Sequence, residues 1–281
     1  MKIDAHQHFW RYSAASYRWI RADVLKRDYL PADLRPLLAA AGFDGTILVQ
    51  ARSTWEETHW LLELAHAHPW ITGVVGWADL CVPDLPERLA HLTIHPEYRG
   101  VRCAIETEPE DPGIPRADFV RGIAELTAAR LTFDLLVTPS RLPLARALVE
   151  AAPQQRFILD HIGNPDIANA ARADRDAAFW AGEIRRLAAH PNVACKVSGM
   201  VTRANHAAWQ PSDFIPFLDT IFEAFGPERL MVGSDWPVCL QAAPYAETIG
   251  IVIDYMKPLP SEMQEAVLGG TAARWYGVGG I

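Results

Sequence analysis

The chain has 281 residues, of which 50% are hydrophobic, 10% aromatic and 21% charged, so it holds enough apolar side chain for a sizeable core and intrinsic disorder is excluded. Acidic residues number 34 against 26 basic ones, a net charge of −8, which lacks the basic excess that nucleic acid or an anionic membrane surface asks of a partner. The length admits one α/β barrel, typically about 250 residues, or two domains of about 150.

In chain order, short apolar and β-branched runs predict strands at residues 2–6, 46–50, 72–77, 100–105, 132–137, 157–161, 193–198 and 230–235. Between them, helical periodicity predicts helices that include 55–67, 117–129, 142–152, 179–189, 214–225 and 246–256, several of them stopped by Gly42, Pro69, Pro153, Pro191 or Gly226-Pro227. Eight evenly spaced βα units, with no Gly/Ser linker and no shift in composition, predict a single (β/α)8 TIM-type barrel occupying residues 1–281 as one domain. Long polar connections at 11–31 and 164–176 follow strands one and six, and barrel enzymes build their sites from such loops. Neither Gly-x-Gly-x-x-Gly nor Gly-x-x-x-x-Gly-Lys-Ser/Thr occurs, so a nucleotide cofactor is not supported. No apolar run approaches the roughly 18 to 20 residues of a membrane span, and Asp4 and His6 interrupt any signal-peptide pattern, so a soluble cytoplasmic protein is expected. Cys81, Cys103, Cys195 and Cys239 are far apart, without Cys-x-x-Cys, and read as reduced, packed thiols. Composition carries no signal for an oligomeric state.

Chemistry concentrates at predicted strand ends. His6 and His8 stand two apart, so the period of two aims both rings to one side; His161 ends strand six and Asp235 ends strand eight. In a closed barrel all four converge at the carboxyl face, and three imidazoles with one carboxylate form a Zn²⁺ shell with room for water. Plainer readings stand beside this one: a strand histidine is often a hydrogen-bonded core residue, and Asp235 before Trp-Pro could be a turn former. The same alternation projects Arg52, Trp77, Arg102, Asp134, Lys196 and Ser198 inward. A buried Arg or Lys must be paired, so these cations either meet Asp4 or Asp134 inside the barrel or face polar ligand atoms at its mouth. Arg52 and Arg102, nearest the strand ends, are expected to bind substrate. Trp10, Trp77 and Trp236 offer flat faces to a sugar ring, whereas Trp19 and Trp55 read as packing, and the remaining histidines as surface or packing residues.

The blocks Ile3-Asp4-Ala5-His6-Gln7-His8-Phe9-Trp10, Val49-Gln50-Ala51-Arg52, Gly73-Val74-Val75-Gly76-Trp77, Leu159-Asp160-His161, Cys195-Lys196-Val197-Ser198-Gly199 and Gly233-Ser234-Asp235-Trp236-Pro237-Val238-Cys239 run in this order through nearly the whole chain. In them the sequence resembles the amidohydrolase superfamily, and within it the sugar-lactone hydrolases that act on lactones such as L-fucono- or L-rhamnonolactone. The resemblance implies lactone hydrolysis in carbohydrate catabolism, with Asp235 activating water, His161 sharing the proton traffic, and His6, His8, His161 and Asp235 holding a metal or the substrate carbonyl. Arg52, Trp77, Arg102, Asn164, Lys196 and Trp236 are the expected contacts to the sugar lactone, with Lys196 equally able to serve as an interior partner of a carboxylate. The superfamily's fuller metal sites add a lysine on strand four and a histidine on strand five; this chain has neither, which leaves one divalent ion such as Zn²⁺, or none. Cys103 stands where related lactonases tend to carry histidine, and Asn164 where they carry a basic residue. Two rival readings are a metal-dependent decarboxylase of an aromatic or unsaturated acid and a catalytically silent sugar-acid binding protein.

Overall fold

The computed structural model describes residues 1–169 and 174–279; of the predicted connection 164–176, residues 170–173 lie outside the described residues. Eight parallel strands form one sheet: β1 (Ile3–Gln7), β2 (Gly45–Val49), β3 (Ile71–Gly76), β4 (Tyr98–Val101), β7 (Thr132–Leu135), β8 (Phe157–Leu159), β9 (Val193–Val197) and β10 (Leu230–Val232). The sheet curls into a barrel whose last seam is closed by His8 N–H donating to the Trp236 carbonyl at 2.7 Å and Asp235 N–H donating to the His6 carbonyl at 2.8 Å. A short antiparallel hairpin, β5 (Thr107–Glu108) and β6 (Asp111–Pro115), departs from the βα alternation. Helices α1 (Pro31–Ala40), α2 (Trp55–Ala67), α3 (Leu85–Thr93), α4 (Ala117–Ala128), α5 (Leu142–Ala151), α6 (Asp174–Ala188), α7 (Ile215–Phe225) and α8 (Tyr245–Met256) surround the barrel, and short α9 (Ser261–Glu265) and α10 (Thr271–Tyr276) follow. None of the described helices is long and apolar enough to cross a membrane.

Local rules account for these elements. Strands β1, β2 and β9 are buried on both faces, which is why they read as apolar runs and not as alternating ones. In α4, Phe119, Ile123 and Leu126 recur at helical spacing and are buried, each contributing roughly 1.5–3 kcal/mol by leaving water. Thr54 caps α2 by accepting from the Glu57 N–H, and Pro31 opens α1, where its missing N–H costs nothing.

Inside the barrel, Ile3, Ala5, Ile47, Val75, Ile158 and Met231 form a dry floor that α10 seals from below with Trp275 and Tyr276. Register shifts within β1 between Asp4 and Gln7, and this bulge decides which side chains enter the cup. Asp4, between the inward Ile3 and Ala5, faces outward, accepting from Ser234 N–H at 2.8 Å, Ser234 Oγ at 2.6 Å and Tyr245 Oη of α8 at 3.2 Å, and the bulge after it brings His6 into the cup. Of the two acids expected as interior partners of a cation, Asp134 is one and Asp4 is not: Lys196 meets Asp134 at 2.5 Å and Asp160 at 3.0 Å.

Candidate active site

The predicted strands ending at 161 and 235 in fact stop at Leu159 and Val232, because the chain turns into left-handed backbone at His161 (φ +54°) and Asp235 (φ +56°). Such a conformation costs a non-glycine residue on the order of 1–2 kcal/mol, and here it aims two chemistry-bearing side chains into the cup. His6 Nε2 lies 3.2 Å from His8 Nε2 and 3.8 Å from Asp235 Oδ1; His8 Nε2 is 3.4 Å and His161 Nε2 4.0 Å from that same oxygen. The four residues that the sequence pointed to are thus gathered at one spot. Two close approaches depend on glycine: a Cβ on Gly233 would lie 2.7 Å from His6 Cβ, and one on Gly199 would lie 2.6 Å from His161 Nδ1.

Each ring is held from behind. His8 Nδ1–H donates to the Val49 carbonyl at 2.7 Å, and His161 Nδ1 is 2.9 Å from Ser198 Oγ. Beneath His6, a chain of buried polar groups fills the barrel: Tyr276 Oη donates to Asp134 at 2.7 Å, Lys196 Nζ joins Asp134 to Asp160, and Arg102 Nη1 donates to Asp160 at 2.9 Å. His6 Nδ1 stands 3.2 Å from Lys196 Nζ and 3.3 Å from Asp160 Oδ1. Burial drives the pKa of His6 well below the ordinary value and lowers that of His161, so both rings are held neutral. Burial would raise Asp160, but Lys196, His6 and Arg102 outweigh it and hold its carboxyl well below the usual range.

A cavity of about 650 Å³ opens above the cluster, with His8, Gln50, Arg102, His161, Asn164 and Asp235 on its walls. Arg102 and Asn164 therefore stand where expected, Arg102 fixed by Gln50 Oε1 at 3.1 Å and Asn164 donating to the Val137 carbonyl at 3.0 Å. Four expected substrate contacts do not reach this cavity. Lys196 is fully buried in the ion chain under His6, and Trp236 is 1% exposed, packed edge-on against Phe9 and Tyr29. Trp77 packs on Trp55 at 5.4 Å, and the Arg52 guanidinium lies over the Tyr17 ring, since both follow strands whose ends turn towards α2. Sequence reading also passed over Asp160 and Gln50; the signal for Asp160 was present, because alternation from the inward Ile158 points it inward too.

The donor set suits one divalent cation. With Nδ1–H committed to the Val49 carbonyl, His8 turns Nε2 towards Asp235 Oδ1 and His6 Nε2, and the ligand positions of these three buried residues lie within 4.8 Å of one another, with Arg102 Nη1 3.3 Å from His6 Nε2. A second grouping, His6, Asp160 and His161, is less suited, because both Asp160 oxygens already face Lys196 and Arg102.

A barrel of this kind, with histidines after its first and sixth strands and an aspartate after its last, is an amidohydrolase, and a family model of that description matches residues 3–278: the chain belongs to this family. Over 98% of its length it is 44% identical to an L-fucono-1,5-lactonase of Burkholderia multivorans, covering 96% of that protein. An L-fucono-1,5-lactonase of Burkholderia ambifaria is 35% identical over 98% of the chain and 95% of its own length. Among solved structures, a Burkholderia multivorans amidohydrolase with bound zinc superimposes with a TM-score of 0.91 at 42% identity, covering 99% of this chain and 100% of that one.

Proposed function

We propose that the chain is a single-domain enzyme of carbohydrate catabolism that hydrolyses a sugar lactone, of the L-fucono-1,5-lactone type, to the open-chain sugar acid. The observation that carries this reading is the gathering of the His6, His8 and His161 rings around the Asp235 carboxylate on the floor of one cavity, with contacts of 3.2 to 4.0 Å. The names of the two Burkholderia relatives support the substrate class.

In the mechanism we infer, the lactone enters with its carbonyl towards the histidines and Arg102. Asp235 accepts a proton from a water as the water oxygen bonds to the carbonyl carbon and the carbonyl electron pair moves to oxygen. The positive charge of the Arg102 guanidinium, whose terminal N–H groups are held by Asp160 and Gln50, stabilises that oxyanion from a fixed position. Collapse re-forms the carbonyl, breaks the ring C–O bond, and the departing alkoxide takes a proton from Asp235, with His161 close enough to share the transfer. His6, His8 and Asp235 would hold a divalent ion, and Zn²⁺ there would polarise the carbonyl and acidify water.

A panel of aldonolactones of both hands, followed with a pH indicator with and without chelator, tests the reading. We expect one acid equivalent per turnover on L-configured lactones; activity on none of them, or release of CO₂ from aromatic acids, would overturn it.

A further inference from the structure

We propose that Trp19 is the aromatic platform on which the lactone ring lies, and that it sets the enzyme's preference for a ring with one apolar face; this rests on the lactonase reading above. Trp10, Trp77 and Trp236, whose faces the sequence offered for this task, are not on the cavity wall, whereas Trp19 is on it and stays 44% exposed. Its indole is thus both open to solvent and on the wall of the cavity that holds Asp235.

Its mounting is rigid. The indole N–H donates to the Ala51 carbonyl at 3.0 Å, and the ring meets Trp10 edge-on, with centroids 5.6 Å apart at 88°. Ala51 lies two residues beyond Val49, whose carbonyl accepts the hydrogen bond from His8 Nδ1–H, and Trp10 lies two residues beyond His8 itself. The platform is therefore tied to both strands that set His8, so a ring lying on it has a fixed height above the reacting atoms. Ile20, Leu25 and Val238 continue the apolar wall, while Asn164, Thr202 and Arg203 bring polar groups to the same cavity. A sugar ring has this asymmetry, with C–H bonds on one face and hydroxyls around its edge.

The test is steady-state kinetics of Trp19→Ala, Trp19→Leu and Trp19→Phe on L-fucono-1,5-lactone, with inhibition by the open-chain acid measured alongside. Loss of stacking by the alanine variant is expected to raise KM about tenfold with kcat within about threefold, and Phe is expected to stay within about threefold of the parent while Leu follows Ala. The acid has no ring face to stack, so its inhibition constant is expected to stay put. An unchanged KM in Trp19→Ala, full recovery by Leu, or a parallel rise in KM and in the acid's inhibition constant, which marks a loosened cup, would each overturn the platform. Failure of the unsubstituted enzyme on every lactone would instead overturn the lactonase reading.

Discussion

Asp235 allows the catalytic and the architectural parts of the site to be separated. Its φ of +56° is a region in which Asn is the best tolerated replacement after glycine, so Asp235→Asn removes the charge and keeps the backbone. Asp235→Ala removes the charge and also puts alanine where left-handed backbone costs roughly 1–2 kcal/mol. Positioned base catalysis is worth about 10²- to 10⁴-fold, or roughly 3–5 kcal/mol of barrier, so both variants are expected to lose at least about 100-fold in kcat/KM on an aldonolactone. Only Ala is expected to lose stability, by the part of that cost which Asp and Asn escape, at most about 1 kcal/mol, and for a chain of this size that lowers Tm by up to roughly 2–4 °C by calorimetry. Retention of more than about a tenth of the activity by the Asn variant would refute Asp235 as the base. An equal fall in Tm for both variants would refute the backbone reasoning.

Lys196→Met strands the buried carboxylates of Asp134 and Asp160 and is expected to cost about 3 kcal/mol or more in urea unfolding, partly recovered by adding Asp134→Asn; an unchanged midpoint would contradict the ion-chain account. Burial raises Asp4 from 3.8 to about 6, so the folded state holds this proton more tightly than the unfolded chain. Its contribution is therefore complete below pH 3.8 and is lost as pH rises through 6, and the stability of the parent relative to Asp4→Asn is expected to fall across that window by about 3 kcal/mol, measured as paired unfolding curves. His8→Ala is expected to weaken Zn²⁺ binding at least about tenfold by calorimetric titration, since it removes one of three candidate ligands; equal affinity would place the ion elsewhere.

The barrel was legible because strands buried on both faces leave continuous apolar runs, and helix α2 was read to the residue from its periodicity and the proline beyond it. The His6, His8, His161 and Asp235 cluster was legible because a closed barrel carries strand ends to one face whatever their separation in sequence. Three features escaped for physical reasons. The bulge in β1 breaks strict alternation, so that Asp4 and His6 face opposite sides, and no residue type announces it. Lys196 sits one layer too deep to meet a ligand, and depth along a strand depends on the shear of the sheet and not on periodicity. The fate of each tryptophan was set by loop packing: Trp236 turns under Tyr29, while Trp19 swings on an irregular connection to the mouth.

The hydroxyl of Tyr276, joined to Asp134 beneath the cup, has a consequence for biosynthesis. Asp134 emerges from the ribosome some 140 residues before this phenol, and His6 some 230 before the turn that brings Asp235 beside it. Through nearly all of translation the future centre is a set of hydrated, mutually distant charges, and the enzyme's competence arrives late, when contacts between the extremes of the polypeptide are made. A message truncated shortly before this tyrosine codon would yield a ring of strands with an open base, and water would enter the charge chain from the side away from substrate.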